Sequence, residues 1–250
     1  MISNAFVEVR SKTEAEPEML GLAAELEHRG LKVSFFTPKD FQRGRLELSK
    51  ATLVAGQVPT VIGGLKALSV PYERLSSYPD CLQAHFHRSI WSSTLGKVRA
   101  AFEDGSVRPL FIKPSHKPKR FAAVVVQSLE DMWSLGAVSR RTRVYCADPV
   151  EWVSEHRCFV LEGALIDQRF YSGDVGVCPD DGVVSEAIAA MAAVPDAPVA
   201  YCLDVGVLKD GQTAVVEVND AFGFGAYGLE YGLYADMTLA RWAQLVGGVL

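Results

Sequence analysis

Apolar and polar positions follow two different periods along the first 80 residues. Short apolar runs there are typical of buried strands, and two longer segments repeat their apolar residues at helical spacing. Pro17 and Gly30 stand where proline and glycine favour the start and the end of a helix. The predicted strands are 5–10, 31–37 and 52–55, and the predicted helices are 16–29 and 58–68. This alternation predicts a small parallel α/β domain.

The pattern changes after residue 80. A segment of helical character at 85–102 is followed by strand-rich sequence. Ser128 and Asp131 form a capping-box pattern that predicts a short helix, and Asp236 stands where it caps a last helix that runs to residue 244. The remaining predicted elements are strands at 107–113, 121–127, 142–147, 155–161 and 164–171 and a helix at 183–194.

The segment 201–219 carries the most specific pattern of the chain. Asp210-Gly211 between two alternating runs predicts a β-hairpin with a two-residue turn. Counting outward from that turn places Asp204 opposite Glu217, with Asn219 diagonally beside them. The other face of the hairpin is then entirely apolar. Two carboxylates and a carboxamide are therefore predicted to share one rigid face.

This arrangement suits a bound divalent cation. Like charges directly opposite each other repel, so we expect that neutralising either Asp204 or Glu217 stabilises the metal-free protein. Hard oxygen ligands are those that Mg²⁺ prefers, together with substrate phosphates. The alternative is a half-exposed hairpin whose polar face meets water, and the hairpin by itself leaves both interpretations open.

Composition narrows the class of protein. The chain has 250 residues, of which 49% are hydrophobic and 22% charged, and a formal net charge of −5. These values are typical of a globular protein with room for two or three subdomains. A mildly acidic chain has no electrostatic footprint for nucleic acid. No apolar stretch approaches a membrane-spanning length and no signal-peptide pattern opens the chain, so we expect no membrane partner.

The cysteines indicate a reducing compartment. There are 5 of them, they are scattered, and no Cys-x-x-Cys occurs, which favours reduced thiols and a cytoplasmic location. Cys81, His85 and His87 are close in sequence, as zinc ligands often are. No second ligand pair with a matching spacing accompanies them, so the sequence argues against a zinc site.

Three motifs in order resemble the ATP-grasp enzymes. They are Phe111-Ile112-Lys113-Pro114, then Glu155-His156-Arg157, then Asp204 with Glu217-Val218-Asn219. The resemblance covers about 88–228 and is greatest to a short bacterial and phage branch of carboxylate–amine ligases. It implies an α/β fold in three parts, with ATP between two β-sheets. These parts are an N-terminal α/β domain at 1–80, a linker helix with a small subdomain at 81–147, and a large subdomain with the metal site at 148–250.

The resemblance also implies roles for individual residues. Lys113 and Lys119 would contact the phosphates of ATP, Lys119 from the following loop as a catalytic cation. The backbone of Ala147, Asp148 and Val150 would bind adenine, and Glu155 would contact ribose. Asp204, Glu217 and Asn219 would bind Mg²⁺. The alternatives stay open that Lys113 is only a solvent-facing strand end and Lys119 ordinary surface.

One position departs from the pattern of the resembling enzymes. Many of them have an arginine two residues before the metal-binding aspartate, where this chain has Cys202. Arg157 would then stabilise the charge on the transferred phosphoryl group, in a catalytic role. Arg169 is either a contact for the acceptor or an exposed residue at the edge of the sheet. Gly225 and Tyr227 belong to a glycine-rich loop that either approaches the substrate closely or only reverses the chain.

The expected activity is an ATP- and Mg²⁺-dependent ligase. It would join a small-molecule or peptide carboxylate to an amine through an acylphosphate and release ADP. A phosphotransferase and a nucleotide-binding module without catalysis remain alternatives, the latter because of Cys202. The identities of the two substrates and a homodimeric state remain open at this stage.

Overall fold

The computed structural model describes residues 2–11, 14–106, 108–115 and 121–247. Within these ranges the chain forms one parallel and two antiparallel β-sheets, with helices packed on them. The mixed α/β class predicted from the sequence is therefore confirmed.

The N-terminal sheet is parallel, with strand order β2–β1–β3. Pro17 occupies the first turn of its first helix, and Gly30 follows that helix in a left-handed conformation (φ 84°), as the sequence predicts. Thr37 and Asp40 form a capping box for a short helix that the sequence analysis missed. The elements are β1 Asn4–Glu8, α1 Pro17–His28, β2 Lys32–Phe36, α2 Pro38–Gln42, β3 Thr52–Ala55 and α3 Val58–Ala67.

The second sheet is antiparallel, with order β4–β7–β5–β6. Its elements are β4 Ile90–Thr94, α4 Leu95–Glu103, β5 Leu110–Pro114, β6 Val124–Val126, α5 Leu129–Ser134 and β7 Arg143–Ala147, after a 3-10 helix at Asp80–His85. The predicted helix 85–102 is wrong in its first half. Ile90, Trp91 and Thr94 favour a strand, and β4 pairs along its whole length with β7. The helix begins only after Thr94, whose side chain caps it.

The third sheet is also antiparallel, with order β11–β10–β8–β9. Its elements are β8 Trp152–Leu161, β9 Ala164–Gly173, α6 Asp181–Ala192, β10 Ala200–Leu208, β11 Thr213–Asp220 and α7 Tyr231–Val246. Asp236 does not cap the last helix, because the helix begins earlier, after Glu230. Asp236 instead accepts a hydrogen bond from Arg29, the residue directly after α1, and α1 packs on α7.

The hairpin β10–β11 differs from the prediction in its turn. The amide of Leu208 donates to the carbonyl of Gln212, so the loop holds three residues and Gly211 takes a left-handed conformation (φ 87°). Val205 therefore pairs with Val215 rather than with Val216. A β-bulge then takes up one residue, and Asp204 pairs with Glu217 as predicted.

Three apolar cores hold the sheets. One core joins the N-terminal sheet, α1, α7 and the loop after β11 to the large sheet through Phe159 and Cys202. A second lies between the other face of the large sheet and α6, and a third between the small sheet, α4 and α5. Among the described residues, no helix is both long and apolar enough to span a bilayer.

Candidate active site

A row of four charged residues crosses one face of the large sheet. Glu217 is the strand partner of Asp204, Asp204 of Arg157, and Arg157 of Arg169. Because partners in adjacent strands share a face, two carboxylates stand beside two guanidinium groups. The hairpin thus meets β8 in the register that brings opposite charges together.

Asp204 and Arg157 form a buried, bidentate ion pair. Nε and one terminal nitrogen of Arg157 each donate to a different carboxylate oxygen of Asp204 at 2.7 Å. The side chain of Asp204 is 3% exposed and that of Arg157 is 10% exposed. Burial raises the pKa of the Asp204 carboxyl, and the bonds from Arg157 oppose that effect. Burial also disfavours the charge on Arg157, but Asp204 outweighs it and raises the pKa of the guanidinium. Arginine keeps its proton at any ordinary pH, and the two short bonds that it donates, one to each oxygen, favour the ionised form of Asp204.

Glu217 is paired across the cleft with Lys113, which ends β5 on the small sheet. Burial raises the pKa of Glu217, but the ammonium of Lys113 more than compensates, and the net effect is a lowered pKa. The amide nitrogen of Asn219 donates to both Asp204 and Glu217 at 3.1 Å. Each carboxylate therefore has its own cation, and one amide bridges them.

A cavity of about 440 Å³ lies between the small and large sheets. Lys113 and Glu217 line its polar end, and Glu155 and Tyr171 line one wall. The segment from Asp148 to Val150 joins the two sheets and is also part of the lining. Tyr171 donates its hydroxyl hydrogen to Glu155 at 3.0 Å. The cavity is large enough for a drug-sized ligand, and among the described residues its lining combines apolar side chains with five charged ones.

Arg88 is part of the lining of this cavity and also covers the outer edge of β11. It donates to the carbonyls of Val215 at 2.9 Å and Val216 at 2.8 Å, and to that of Phe86. The rings of Tyr78, Phe86 and Trp152 surround its guanidinium at 5.2–5.9 Å. Burial lowers the pKa of this guanidinium.

A smaller cavity of about 130 Å³ lies on the other side of Asn219, against the N-terminal domain. Arg157 and Arg74 supply its positive charge, and Val58 at the start of α3 closes one end. The glycine-rich loop after β11 forms a wall: one nitrogen of Arg157 donates to the carbonyl of Gly225 at 3.4 Å. Tyr227 covers Arg157, with its ring centroid 4.9 Å from the guanidinium carbon.

The two cavities are connected by a third region of about 460 Å³. It shares Lys113 and Glu217 with the larger cavity, and Arg74, Ser77 and Asn219 with the smaller one. The row of acids and cations therefore stands between two binding spaces, a large one between the sheets and a small one against the N-terminal domain.

Residues 85–237 match the model of a family described as an ATP-grasp domain, the second family of its clade. The match spans more than half of the chain. The chain belongs to this ATP-grasp family. No curated protein sequence matches it.

Solved structures show the same ATP-grasp fold. The D-alanine–D-alanine ligase from Bacillus anthracis complexed with ATP is 16% identical, with a TM-score of 0.60 and 99% of each chain covered. D-cycloserine synthetase is 14% identical, with a TM-score of 0.62 over 98% of this chain and 100% of that one. The ligase PsnB, complexed with a phosphomimetic precursor variant, Mg and ADP, is 13% identical, with a TM-score of 0.53 over 97% and 98%. At these identities the likeness establishes the fold alone.

Most residues that the sequence analysis singled out lie at the ATP-grasp cleft. Lys113, Asp148, Val150, Glu155 and Glu217 line the large cavity, and Arg157, Asn219 and Gly225 line the small one. Ala147 is buried at the end of β7, directly before the segment that joins the sheets. Asp204 lies beneath them in the ion pair, and Tyr227 covers Arg157.

Three positions stand apart. Lys119 lies outside the described residues. Arg169 shares the face of Arg157 but lines neither cavity, and its guanidinium bonds Asp167 at 2.7 Å. Cys202 is fully buried in the core shared with the N-terminal domain, so it does not reach the cleft. Among the described residues, no three His, Cys, Asp or Glu side chains stand together as a possible metal-binding group.

The sequence did not predict the aromatic and cationic wall of the cleft. Arg88 was hidden inside the wrongly predicted helix, and only its three backbone contacts reveal it. Tyr78 sits between Arg88 and Lys113. The ammonium of Lys113 lies 5.1 Å from the centroid of the Tyr78 ring. Tyr171 carried a usable signal, because alternation along β9 places it on the same face as Arg169.

Proposed function

We propose that this ATP-grasp protein is an ATP- and Mg²⁺-dependent carboxylate–amine ligase. The observation that carries the proposal is the facing of Asp204, Glu217 and Asn219 on one sheet to Lys113 on the other, with Arg157 alongside. Phosphoryl transfer needs metal ligands, positive charge and alignment, and little covalent chemistry from the protein. This cleft offers all three.

The donor set fits Mg²⁺. Two carboxylates and one carboxamide supply hard oxygen atoms. Oδ1 of Asp204 keeps a lone pair beyond the bond from Arg157, whereas Oδ2 also accepts from Asn219. A half-turn of the Asn219 amide exchanges its nitrogen for its oxygen at the same place. Bound Mg²⁺ would neutralise charge on the triphosphate.

The large cavity is the proposed ATP site. The backbone of Asp148 and Val150 would bind adenine, Glu155 ribose and Lys113 the phosphates. Lys113 is only 15% exposed and points into the cavity, which favours a phosphate contact over a solvent-facing strand end. Lys119 is proposed as a second phosphate contact, on the resemblance alone.

The small cavity is the proposed acceptor site. Arg157 and Arg74 line it, and the one acid among its described lining residues, Asp220, is already bound by Arg241, so the lining suits a carboxylate. Asn219 joins this cavity to the metal-binding residues. Gly225 and Tyr227 hold the loop over Arg157. Arg169 is proposed only as an outer contact, because Asp167 already binds its guanidinium.

The proposed reaction has two steps. A carboxylate oxygen bonds to the γ-phosphorus of ATP, the bond from that phosphorus to the bridging oxygen breaks, and ADP leaves. The amine nitrogen then bonds to the acyl carbon, phosphate leaves, and the amine releases a proton to solvent. Lys113 and Arg157 would stabilise the negative charge that develops on the transferred group.

The test uses hydroxylamine as the amine. The purified protein, ATP and Mg²⁺ are incubated with panels of small carboxylic acids and of peptides, and ADP and hydroxamate are measured. We expect both products, with ¹⁸O passing from a labelled carboxylate to phosphate. Glu217→Gln should abolish both, whereas Asp210→Asn in the exposed turn of the same hairpin should keep them.

The other outcomes distinguish the alternatives. ADP with a stable phosphorylated product and no hydroxamate would identify a phosphotransferase. ATP binding without ADP release over the whole panel would identify a nucleotide-binding module, in which Arg157 does not replace the missing arginine at Cys202.

We also propose functional divisions for the chain. Residues 1–80 would select the acceptor, and 81–147 and 148–250 would bind ATP between them. Amide hydrogen exchange of the whole chain with and without ATP would test this division, and the added protection should fall within 81–250. The five free thiols support a cytoplasmic location, which cell fractionation would test. The proposal includes no nucleic-acid or membrane partner, and light scattering would test for a homodimer.

A further inference from the structure

We propose that Arg88 is a positioning residue that clamps the β-bulge of β11 and so keeps Glu217 on the same sheet face as Asp204. Its bearing on metal binding rests on the proposed function. The clamp itself rests on the hydrogen bonds of the described residues.

The contacts of Arg88 are specific for a bulge. In a regular strand, successive carbonyl groups point to opposite edges. Here the carbonyls of two successive residues, Val215 and Val216, both reach the guanidinium of Arg88. This is possible because the strand carries an extra residue at that point. The planar fork of arginine fits two such acceptors, which a lysine ammonium cannot match.

The bulge decides where Glu217 points. From the turn, the ladder pairs Val205 with Val215, and regular pairing would continue with Asp204 opposite Val216. Glu217 would then point to the opposite face, since a one-residue slip reverses every side chain. The extra residue restores Glu217 to the face of Asp204. A group that holds the bulge therefore holds the pair of acids together.

Although Arg88 lines the large cavity, its contacts favour this role over direct contact with a ligand. Three aromatic rings surround its guanidinium, and its hydrogen bonds to Phe86, Val215 and Val216 use backbone carbonyls. In the part of the chain that the structure describes, no carboxylate hydrogen-bonds to it. β11 is also an edge strand, so its outer carbonyls have no neighbouring strand to pair with.

The test compares the wild type with Arg88→Lys, which keeps the charge and loses the fork. In nucleotide-free protein, we expect the amide of Val218, which donates to Ser77 beside the bulge, to exchange its hydrogen faster in the variant. A crystal structure of the variant should show the bulge shifted or lost. Unchanged exchange and an unchanged bulge would overturn the proposal.

The second measurement is the ratio of ATP affinity with Mg²⁺ to that in EDTA, by calorimetry. Residues that orient metal ligands typically contribute about 10- to 100-fold, and we expect the ratio to fall by that factor in Arg88→Lys. Affinity in EDTA should change little. If Arg88→Ala loses affinity in EDTA and Arg88→Lys retains it, Arg88 binds ATP directly and the clamp is wrong.

Arg241→Lys is the matched control. Arg241 is another arginine that binds β11, through both oxygens of Asp220, but it does not touch the bulge. It should leave the metal-dependent ratio unchanged. If the wild type itself shows no metal-dependent binding of ATP, the proposed function fails, while amide exchange and the crystal structure still decide the role of Arg88.

Discussion

At the scale of single residues, the acids of the candidate site are neutralised by cations of the same site. The sequence places two acids opposite each other, where they should repel. In the folded protein each acid has a cation, Arg157 on Asp204 and Lys113 on Glu217, and Asn219 bridges the two. The residues that would bind metal and phosphate are thus held in place by each other.

This pairing reverses an expectation drawn from the sequence. Asp204→Asn should destabilise the metal-free protein, because it leaves the buried charge of Arg157 without its partner. Removing one member of a buried pair costs about 3–5 kcal/mol, and we expect a loss near the lower end, since asparagine still accepts one hydrogen bond. Urea unfolding at pH 7 measures it. Asp210→Asn on the exposed turn is the control, and a gain in stability for Asp204→Asn would contradict the pairing.

At the scale of elements, two departures from the predicted hairpin cancel. The turn has one residue more than Asp210-Gly211 predicts, and the bulge before Glu217 takes up one residue on the same strand. The predicted pair of Asp204 and Glu217 is therefore correct, although the pairs nearer the turn are not. Bulges commonly redirect side chains beside active sites, as this one does.

The ion pair between Lys113 of β5 and Glu217 of β11 predicts that one substitution changes ATP affinity in opposite directions with and without Mg²⁺. Glu217→Gln releases Lys113 from its ion pair, so ATP in EDTA should bind about threefold to tenfold more tightly, as expected for a partly exposed pair of about 1 kcal/mol. With Mg²⁺ the same variant should bind ATP more weakly than the wild type, because a metal ligand is lost.

Calorimetry with and without EDTA measures both affinities. Asp148→Asn removes another acid from the lining of the cavity without touching Lys113, and serves as the control. Weaker binding of ATP by Glu217→Gln in EDTA would show that the ion pair does not compete with the nucleotide.

At the scale of the whole molecule, the N-terminal domain positions the glycine-rich loop. Glu18 of α1 accepts a hydrogen bond from the amide of Ala226 at 3.1 Å. A Cβ atom on Gly223 would lie 2.7 Å from the amide nitrogen of Val58. The loop that walls the small cavity therefore depends on close packing against another part of the chain.

Two glycines of this loop allow the packing to be tested. Gly223 (φ 63°) and Gly228 (φ 86°) both have left-handed backbones, so alanine at either should cost about 1–2 kcal/mol. Only Gly223→Ala also clashes with Val58, whereas a Cβ on Gly228 meets nothing within 4 Å. We expect Gly223→Ala to lose about 1–3 kcal/mol more free energy of unfolding than Gly228→Ala, with unchanged ATP affinity. Equal losses of free energy would show that the loop shifts to accommodate the added Cβ atom.

The sequence by itself determined the elements and the chemistry of the candidate site. Apolar periodicity, Pro17, Gly30 and the Ser128 capping box are local signals, and local signals fix helices and strands where they are strong. Alternation along two strands was enough to place Asp204 and Glu217 on one face. The signals failed where long-range pairing prevailed, as at 90–94, which β7 draws into a sheet.

Only the tertiary structure decided which of those residues pair or pack with one another. Lys113 meets Glu217 from another sheet, Arg88 reaches the bulge from a segment more than 120 residues away, and Val58 limits the loop at Gly223. Such contacts join residues far apart in the chain, and no local period records them. The partners of the acids, and with them the sign of the stability change on removing a charge, therefore follow from the folded arrangement.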